Sequence, residues 1–248
     1  MGRPERAADP IGAAPLRDVA VLEALYGALP TTALLDVAIH DLFPGRLALV
    51  SSFGAEAAVL LHLVAQVDRA TPVVFVDTDR LFGETLRYRD RLTERLGLTD
   101  VRTLAPDAAR VAEHDRDGAL WLRDANLCCR IRKVEPLAAG LSGFDAWISG
   151  RKRFQAATRA TIPVFEAEGT RIKVNPLAGW MPADLAAYAA RHDLPPHPLV
   201  EQGYRSIGCM PCTTRVVEGE DDRAGRWRGQ EKIECGIHLG LEADGSGI

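Results

Sequence analysis

The chain has 248 residues, which suits one ordinary α/β domain with appendages and is enough to bury a substantial core. Its net charge of −4 at pH 7 argues against general affinity for nucleic acid, so any basic patch must be local. No apolar run approaches the roughly 18 residues that a membrane span needs, and the N-terminus has no signal-peptide core, so we expect no membrane partner.

Cysteine content and segment composition predict the compartment and the domain plan. The five cysteines and the lack of an export signal indicate a reducing cytoplasm, where thiols serve metals or catalysis more often than disulfides. Residues 1–15 are polar, small and interrupted by proline and glycine, so we expect them to be disordered. We predict one folded domain over residues 16–217. The charged stretch 218–229 has little apolar content, which predicts a mobile tail over residues 218–248.

Short apolar runs alternate with helical patterns along the chain. The predicted helices are 16–26, 32–42 with Thr31 as its N-cap, one that ends at Gln66, 82–96 and 182–192. The predicted strands are Leu47–Val50, Val73–Val76, Val101–Leu104, residues 147–149, and an edge hairpin of Phe165–Glu168 and Arg171–Val174. This alternation indicates an α/β fold with a mainly parallel, twisted sheet flanked by helices.

Two turns at strand ends are candidate ligand loops. Residues 51–56 join the first strand to a helix, and the N–H groups at such a turn suit a phosphate. The turn lacks the G-x-x-x-x-G-K-[ST] pattern of kinase P-loops, and an ordinary βα turn remains the simpler interpretation of it alone. Residues 76–80 follow the second strand, where open α/β sheets bind ligands. An N-cap formed by Thr78 or Asp79 is the alternative there.

Four cysteines form the most specific pattern in the chain. Cys128 and Cys129 are poor disulfide partners, because adjacent Cα atoms lie about 3.8 Å apart and ordinary bridges need roughly 4.4–6.8 Å. With the distant pair Cys209 and Cys212 they suggest four thiolates on one soft metal centre. The adjacent pair favours a 4Fe–4S cluster, while zinc and buried free cysteines stay open as alternatives. Lys133 follows Cys129 by one helical turn and would place an ammonium beside the thiolates.

Basic residues and a fifth cysteine complete the candidate site. Residues 150–155 and Arg159 follow a predicted strand and would clamp an oxyanion, with a solvated charge run as the alternative. Cys235 is left over by the quartet and lies on a glycine-flanked segment, as a swinging nucleophile would. A nearby cation cluster would lower its pKa and keep it as thiolate. A tail cysteine without function, and a surface histidine at His238, are the alternatives.

These motifs together resemble the assimilatory adenylyl-sulfate (APS) reductases of the wider phosphoadenylyl-sulfate (PAPS) reductase family. The likeness runs from about residue 45 to residue 240. It rests on residues 51–56, Asp77-Thr78, Arg80-Leu81, 128–133, 150–155, 204–212 and 232–238. There are two departures: Asp79 stands where the family usually has glycine, and Gly83 where proline is common. They affect the expected path of the second loop rather than the chemistry.

The resemblance implies an adenine nucleotide α-hydrolase-like fold in which residues 51–56 are a modified pyrophosphate-binding loop. It implies one 4Fe–4S cluster, which the PAPS-specific branch lacks, and adenylyl sulfate as substrate. The cluster ligands would be Cys128, Cys129, Cys209 and Cys212. The ribose and phosphosulfate backbone would lie on Ser51, Ser52 and Gly54, and the adenine edge on the Val76 main chain. The phosphosulfate charge would be neutralised by Lys133, Arg151, Arg223 and Arg226. His238 would contact substrate or settle the tail.

The implied reaction begins with attack of the Cys235 thiolate on the substrate sulfur, with AMP as leaving group. Thioredoxin or a similar dithiol then releases sulfite from the resulting S-sulfocysteine, as one step of sulfate assimilation toward cysteine. A homo-oligomer stays open. The alternative functions are a PAPS reductase, a tRNA thiolase, which the missing S-G-G-x-D-S pattern disfavours, and a cluster-bearing nucleotide sensor.

Overall fold

The computed structural model describes residues 18–232, 234 and 236–238 of the chain. The predicted disorder of residues 1–15 and the predicted nucleophile Cys235 therefore lie outside the described residues. Among the described residues, none of the helices combines the length and the apolar character required to span a membrane.

One six-stranded sheet in the order β3–β2–β1–β4–β6–β5 organises the fold. Its strands are β1 Leu47–Val50, β2 Val73–Val76, β3 Val101–Leu104, β4 Ala146–Ile148, β5 Phe165–Glu168 and β6 Arg171–Val174. All neighbouring pairs are parallel except β5 and β6, which form an antiparallel hairpin at the edge. The predicted α/β fold with a mainly parallel sheet is confirmed. Only the fourth strand differs from its predicted bounds, by one residue.

The described helices are α1 Val19–Tyr26, α2 Thr31–Val37, α3 Ala57–Val67, α4 Gly83–Leu96, α5 Ala108–His114, α6 Leu120–Arg123, α7 Ala125–Cys129, α8 Glu135–Gly140 and α9 Pro182–Arg191. Helix α2 continues as a π-helical turn over Ala38–Leu42, and a second π-helical turn over Arg130–Val134 joins α7 to α8. Such turns re-aim side chains within a helix and are frequent at functional sites.

The expected cap at Thr31 and the alternative cap at Thr78 or Asp79 are both wrong. Thr31 is the first residue of α2 rather than its N-cap, because Pro30 precedes it with extended backbone. The Thr31 hydroxyl instead accepts a hydrogen bond from Trp180 Nε1 at 2.9 Å. Neither Thr78 nor Asp79 caps α4, since Phe82 holds that position without a side-chain bond. The loop after β2 is therefore free to serve the site rather than the helix.

Each face of the sheet carries a hydrophobic core, as the continuous apolar strands β1 and β2 require. The larger core lies on the α3, α4 and α9 face and includes Leu61, Phe75 and Tyr88, each 0% exposed. The smaller core lies on the other face, where α8 packs on Trp147. Ile237, which lies near the end of the described chain, packs against this smaller core. The tail therefore reaches the sheet beside the candidate site.

Asp79 occupies a position where the family resemblance expects glycine, and its backbone is left-handed with φ of 56°. Glycine adopts this conformation without steric cost, and Asp is among the few other residues that tolerate it. The Asp79 N–H donates to Asp77 Oδ1 at 3.1 Å, which supports the turn locally. The substitution thus keeps a backbone path that also suits glycine, and the second loop is intact.

Gly83→Pro is expected to raise the free energy of unfolding by about 0.4–1 kcal/mol, because proline restricts the unfolded chain. Gly83 is the first residue of α4, where proline is favoured, and Phe82 before it is already extended with ψ of 141°. A Cβ at Gly83 would meet only the flexible end of Arg87 at 3.1 Å. Urea denaturation measures the change. Gly97→Pro is the control and should destabilise, because Gly97 has φ of +63°; a loss at Gly83 would contradict the prediction.

His197 is expected to make the fold sensitive to mild acid. Its ring is 0% exposed, its Nδ1 accepts from Leu199 N–H at 3.1 Å, and its Nε2 contacts Thr85 Oγ1 at 3.1 Å. Burial lowers the His197 pKa from 6.5 to about 4. The unfolded chain therefore binds a proton below pH 6.5 that the fold rejects until about pH 4. Between pH 6.5 and about pH 4, the free energy of unfolding should decrease as the pH is lowered, by at most about 3 kcal/mol.

The measurement is urea denaturation of the protein and of His197→Gln at pH 7.5, 5.5 and 4.5. Glutamine removes the titrating group, so the stability advantage of the histidine protein should shrink as the pH falls. A difference that stays constant over this range would show that His197 does not couple folding to protons.

Candidate active site

The candidate site lies where the order of the sheet changes direction. Strands β2 and β3 extend from one side of β1, and β4 leads to the other side. The loops after β1 and β4 therefore diverge and leave a crevice at the carboxyl ends of the strands, which is where open α/β sheets bind ligands. A cavity of about 360 Å³ opens there.

All predicted substrate-binding residues lie on the wall of this cavity: Ser51, Ser52, Gly54, Val76, Lys133, Arg151, Arg223, Arg226 and His238. They come from the ends of three strands, the helical segment after the adjacent cysteines, and the tail. Their individual roles toward a substrate stay predictions. Cys235 lies outside the described residues, but Glu234 and Ile237 on either side of it both line the same cavity.

The first loop is held in a strained conformation by its own buried side chain. Phe53 has φ of 48°, a left-handed conformation that costs a non-glycine residue on the order of 1–3 kcal/mol. Its ring is 0% exposed and packs edge-on against Phe75, with ring centres 5.4 Å apart. Its N–H donates to Ser51 Oγ at 3.2 Å. A Cβ on Gly54 would lie 3.3 Å from Ser52 Oγ, so glycine keeps this turn close to its neighbours.

The basic loop after β4 is buried, so the alternative of a solvated charge run is wrong for three of its cations. Arg151, Lys152 and Arg159 are 7%, 3% and 7% exposed. Each has a carboxylate partner: Arg151 pairs with Glu166, Lys152 with Glu56, and Arg159 with Glu234. Burial lowers the pKa of Lys152, and the adjacent Glu56 opposes that shift. Several buried ion pairs thus surround the cavity at this end of the sheet.

Arg159 is one of the residues that sequence reasoning placed in the basic cluster but left out of the substrate-binding set. It lines the cavity, and its guanidinium binds both carboxylate oxygens of Glu234 at 2.8 and 2.9 Å. Arg223 donates to the same carboxylate at 3.2 Å. Arg159 also donates to Gln155 at 2.7 Å. No local pattern in the sequence marks its contact with Glu234, which lies 75 positions away.

His238 is part of the tail, and its ring packs against the sheet rather than lying on the surface. Its ring stacks on Trp147 with centres 5.8 Å apart and planes 10° apart. Its Nδ1 is buried and has no hydrogen-bond partner among the described residues. Burial, followed by the positive charges of Arg151 and Lys173, holds the pKa of His238 well below 6.5. The imidazole is therefore neutral at physiological pH and can offer Nδ1 to a polar group in the cavity.

The four cysteines of the quartet, which line a second, smaller cavity, are all buried and not joined in disulfides: Cys128, Cys129, Cys209 and Cys212. The first pair closes α7, whose N-cap Asp124 accepts from the backbone N–H groups of residues 126 and 127. The second pair lies on a 3₁₀ turn, Met210–Cys212, that the Arg80 carbonyl anchors through Met210 N–H at 2.7 Å. The fold thus brings two distant sequence pairs to one point.

The electrostatics of this thiol cavity are uneven. Burial and the three neighbouring thiols raise the pKa of Cys128 to about 12. Burial also raises the pKa of Cys209, but Lys133, a hydrogen bond with Thr78 Oγ1 at 3.2 Å and Arg226 together outweigh it and lower that pKa. Burial and the thiols of Cys209 and Cys129 likewise raise the pKa of Cys212 to about 11, so Cys209 alone of these three has a lowered pKa. Cysteine sulfurs are the soft donors that a soft metal centre prefers. Among residues 18–232, 234 and 236–238, no group of three or more His, Cys, Asp or Glu side chains could hold a single metal ion.

Lys133 joins the two cavities. It lines both of them, and its ammonium hydrogen-bonds the Cys209 sulfur. The π-helical turn over Arg130–Val134 sets its direction, and the preceding Arg132 is fixed by a buried ion pair with Asp115 at 2.8 Å. Arg132 also donates to the Thr78 carbonyl at 2.9 Å, which ties the cysteine helix to the second loop.

Known proteins share this architecture. The family profile of the phosphoadenosine phosphosulfate reductase domain matches residues 46–215. The chain is 53% identical over 222 residues to the adenosine 5'-phosphosulfate reductase of Mesorhizobium japonicum, covering 89% of this chain and 87% of that protein. It is 43% identical over 201 residues to the phosphoadenosine 5'-phosphosulfate reductase of Alkalilimnicola ehrlichii, covering 79% and 81%. The crystal structure of the Candida auris phosphoadenylyl-sulfate reductase in its phosphate complex superposes with a TM-score of 0.69 at 25% identity, covering 84% of this chain and 100% of that one.

Proposed function

The chain belongs to the phosphoadenosine phosphosulfate reductase family, and from this premise we propose that it reduces adenylyl sulfate to sulfite and AMP. It is an oxidoreductase that acts on a sulfur group. The observation that carries the proposal is the convergence of every described substrate-binding residue of the prediction on one cavity beside the four cysteines.

The cavity wall combines apolar side chains with cations, which suits a nucleotide with an anionic tail. The cations are Lys133, Arg151, Arg159, Arg223 and Arg226, and we call them the anion end of the cavity. We assign the phosphosulfate to them, because fixed positive charge there neutralises oxygens that would otherwise repel an anionic nucleophile.

The proposed first step is attack of the Cys235 thiolate on the sulfur atom of the phosphosulfate. A sulfur–sulfur bond forms, the bond from sulfur to the phosphate oxygen breaks, and AMP leaves as the oxyanion. The tail supports this assignment, since Glu234 is bound by Arg159 and Arg223 inside the cavity. Neutral His238 is close enough in the sequence to position the attacking segment or to donate a hydrogen bond to substrate.

The proposed second step transfers electrons from outside the chain. One thiolate of a thioredoxin or similar dithiol attacks the Cys235 sulfur and displaces sulfite. Its second thiolate then closes the disulfide of the reductant and frees Cys235. Two electrons have reached sulfur and the dithiol is oxidised, so the cycle balances without an electron passing through a metal.

We propose that Cys128, Cys129, Cys209 and Cys212 hold one 4Fe–4S cluster. Their soft donors, burial and shared cavity suit such a group. When bound, the cluster would supply a rigid, charged anchor for Lys133 and the second loop. A brown anaerobic preparation that absorbs near 400 nm would support it, and a colourless zinc protein would refute it.

We further propose a cytoplasmic protein with a substrate-binding domain over residues 16–217 and a catalytic tail over residues 218–248. Self-association into a homo-oligomer remains open and is measured by light scattering.

The competing substrate is the 3'-phosphorylated nucleotide, because one relative carries that name. Sulfite release from both nucleotides, with thioredoxin, thioredoxin reductase and NADPH, decides between them. We expect AMP and sulfite in equal amounts and a higher kcat/KM for adenylyl sulfate. Preference for the phosphorylated nucleotide would reassign the substrate, and tight nucleotide binding without sulfite would instead indicate a sensor.

A further inference from the structure

A charged row crosses the sheet beneath the tail. Trp147 on β4 is the register partner of Lys173 on β6, and Lys173 is the partner of Glu166 on β5. Their side chains therefore point to the same face of the sheet, on which the tail lies. Glu168, two residues beyond Glu166 on β5, points to that face as well.

These groups form a paired network under the site. Lys173 is 1% exposed, and its ammonium lies 2.7 Å from Glu168 and 3.2 Å from Glu166. The same ammonium lies 4.9 Å from the centre of the Trp147 ring. Trp147 Nε1 donates to Glu168 Oε2 at 2.5 Å, which fixes the plane of the indole. Glu166 also forms an ion pair with Arg151, which lines the cavity. Lys173 therefore connects the Trp147 indole, through Glu166, with the anion end of the cavity.

Stability alone does not account for such a network. Buried ion pairs repay their desolvation only partly, and apolar replacements of similar volume are often as stable. What the network does achieve is orientation, because the indole can neither tilt nor flip without breaking its bond to a buried carboxylate. His238 stacks on one face of that indole, with the ring planes 10° apart.

The tail is thus held at two points on either side of Cys235. On one side, Arg159 and Arg223 bind Glu234. On the other side, His238 stacks on Trp147, and Ile237 packs against the same small core. Anchors on both sides of the nucleophile limit how far the tail can shift, and a displacement of about 1 Å can cost on the order of 10²-fold in rate.

We propose that Trp147, Glu168 and Lys173 are positioning residues for the sulfur-transfer step. They set the plane on which His238 rests and thereby orient the tail segment that delivers Cys235 to the phosphosulfate. This inference rests on the proposed function, since it concerns the step that Cys235 carries out.

The test compares Trp147→Leu with the unchanged protein in two assays. The first is single-turnover formation of the Cys235 adduct from saturating adenylyl sulfate without reductant, followed by rapid quench and peptide mass spectrometry. We expect the rate to fall about 10- to 100-fold, with the Kd for AMP within about twofold. The second is alkylation of Cys235 by iodoacetamide with AMP bound, which should become faster because the tail is released.

Trp180→Leu is the matched control, because the Trp180 indole also donates one hydrogen bond, to Thr31 Oγ1, but lies away from the tail. It should leave both rates unchanged. A general loss of structure would slow adduct formation and weaken AMP binding together, whereas lost positioning separates them. If Trp147→Leu does not fold, Trp147→Phe keeps a ring without the donor and should shift both rates in the same directions by a smaller factor.

Unchanged rates in a folded Trp147 variant would overturn the inference and leave the proposed function standing. If the unchanged protein forms no adduct at Cys235, the proposed function itself fails. The two failures are therefore distinguishable in one experiment.

Discussion

Cys235→Ser is expected to abolish sulfite formation, with a loss of at least about 10³-fold in kcat. A serine hydroxyl is not ionised at neutral pH and cannot form the S-sulfo intermediate that a dithiol later reduces. Labelled adenylyl sulfate without reductant should give a stable adduct on the unchanged protein and none on the variant. Nucleotide binding should survive, because the cavity wall is built from other residues.

The control for this experiment lies within the chain, since it carries four further cysteines. Peptide mapping of the labelled protein should place the sulfonate on Cys235 alone. Label on a quartet cysteine, or sulfite production by Cys235→Ser at a normal rate, would overturn the assignment of the nucleophile and with it the proposed mechanism.

The centre of the sheet could be predicted because strands β1, β2 and β4 are buried on both faces. Runs such as Leu47–Val50 and Val73–Val76 are continuously apolar and bounded by polar turns, so local pattern alone sets their limits. Helix α5 was missed because no residue of Ala108–His114 is buried, which leaves no apolar stripe to detect. The π-helical turn over Arg130–Val134 was missed for a different reason. The 3.6-residue period that indicates an α-helix does not reveal a single wider turn within it.

The candidate site was predictable where chemistry is concentrated in short motifs, and not where it depends on pairing across the fold. The cysteine pairs are visible in the sequence because few other patterns use adjacent cysteines. The ion pair between Arg159 and Glu234 joins residues 75 positions apart, and only the topology brings them together. Lys173 is likewise an ordinary charge within the predicted edge hairpin. Its burial follows from the position of β6 between β4 and β5 and from the packing of Trp147 and the tail over that face.

Lys133→Ala is expected to lower kcat/KM for adenylyl sulfate by about 10²- to 10³-fold while iron content stays nearly unchanged. Its ammonium lies between the thiol cavity and the substrate cavity, where a preorganised cation stabilises charge that moves during sulfur transfer. Iron content should survive because the lysine is not itself a thiolate donor and Thr78 still hydrogen-bonds Cys209 at 3.2 Å. Sulfite release and iron analysis of the same anaerobic preparation measure both quantities.

Two variants separate charge from shape at this position. Lys133→Arg keeps the charge but replaces a compact ammonium with a planar fork, so we expect only partial recovery. Arg130→Ala removes a cation from the same helical turn that instead faces Glu135 with its side chain 45% exposed, and activity should stay within about twofold. Should Lys133→Ala lose its iron together with its activity, the lysine would be a support for the thiol cavity. Iron retained without activity would instead mean that its charge is directed at the bound phosphosulfate.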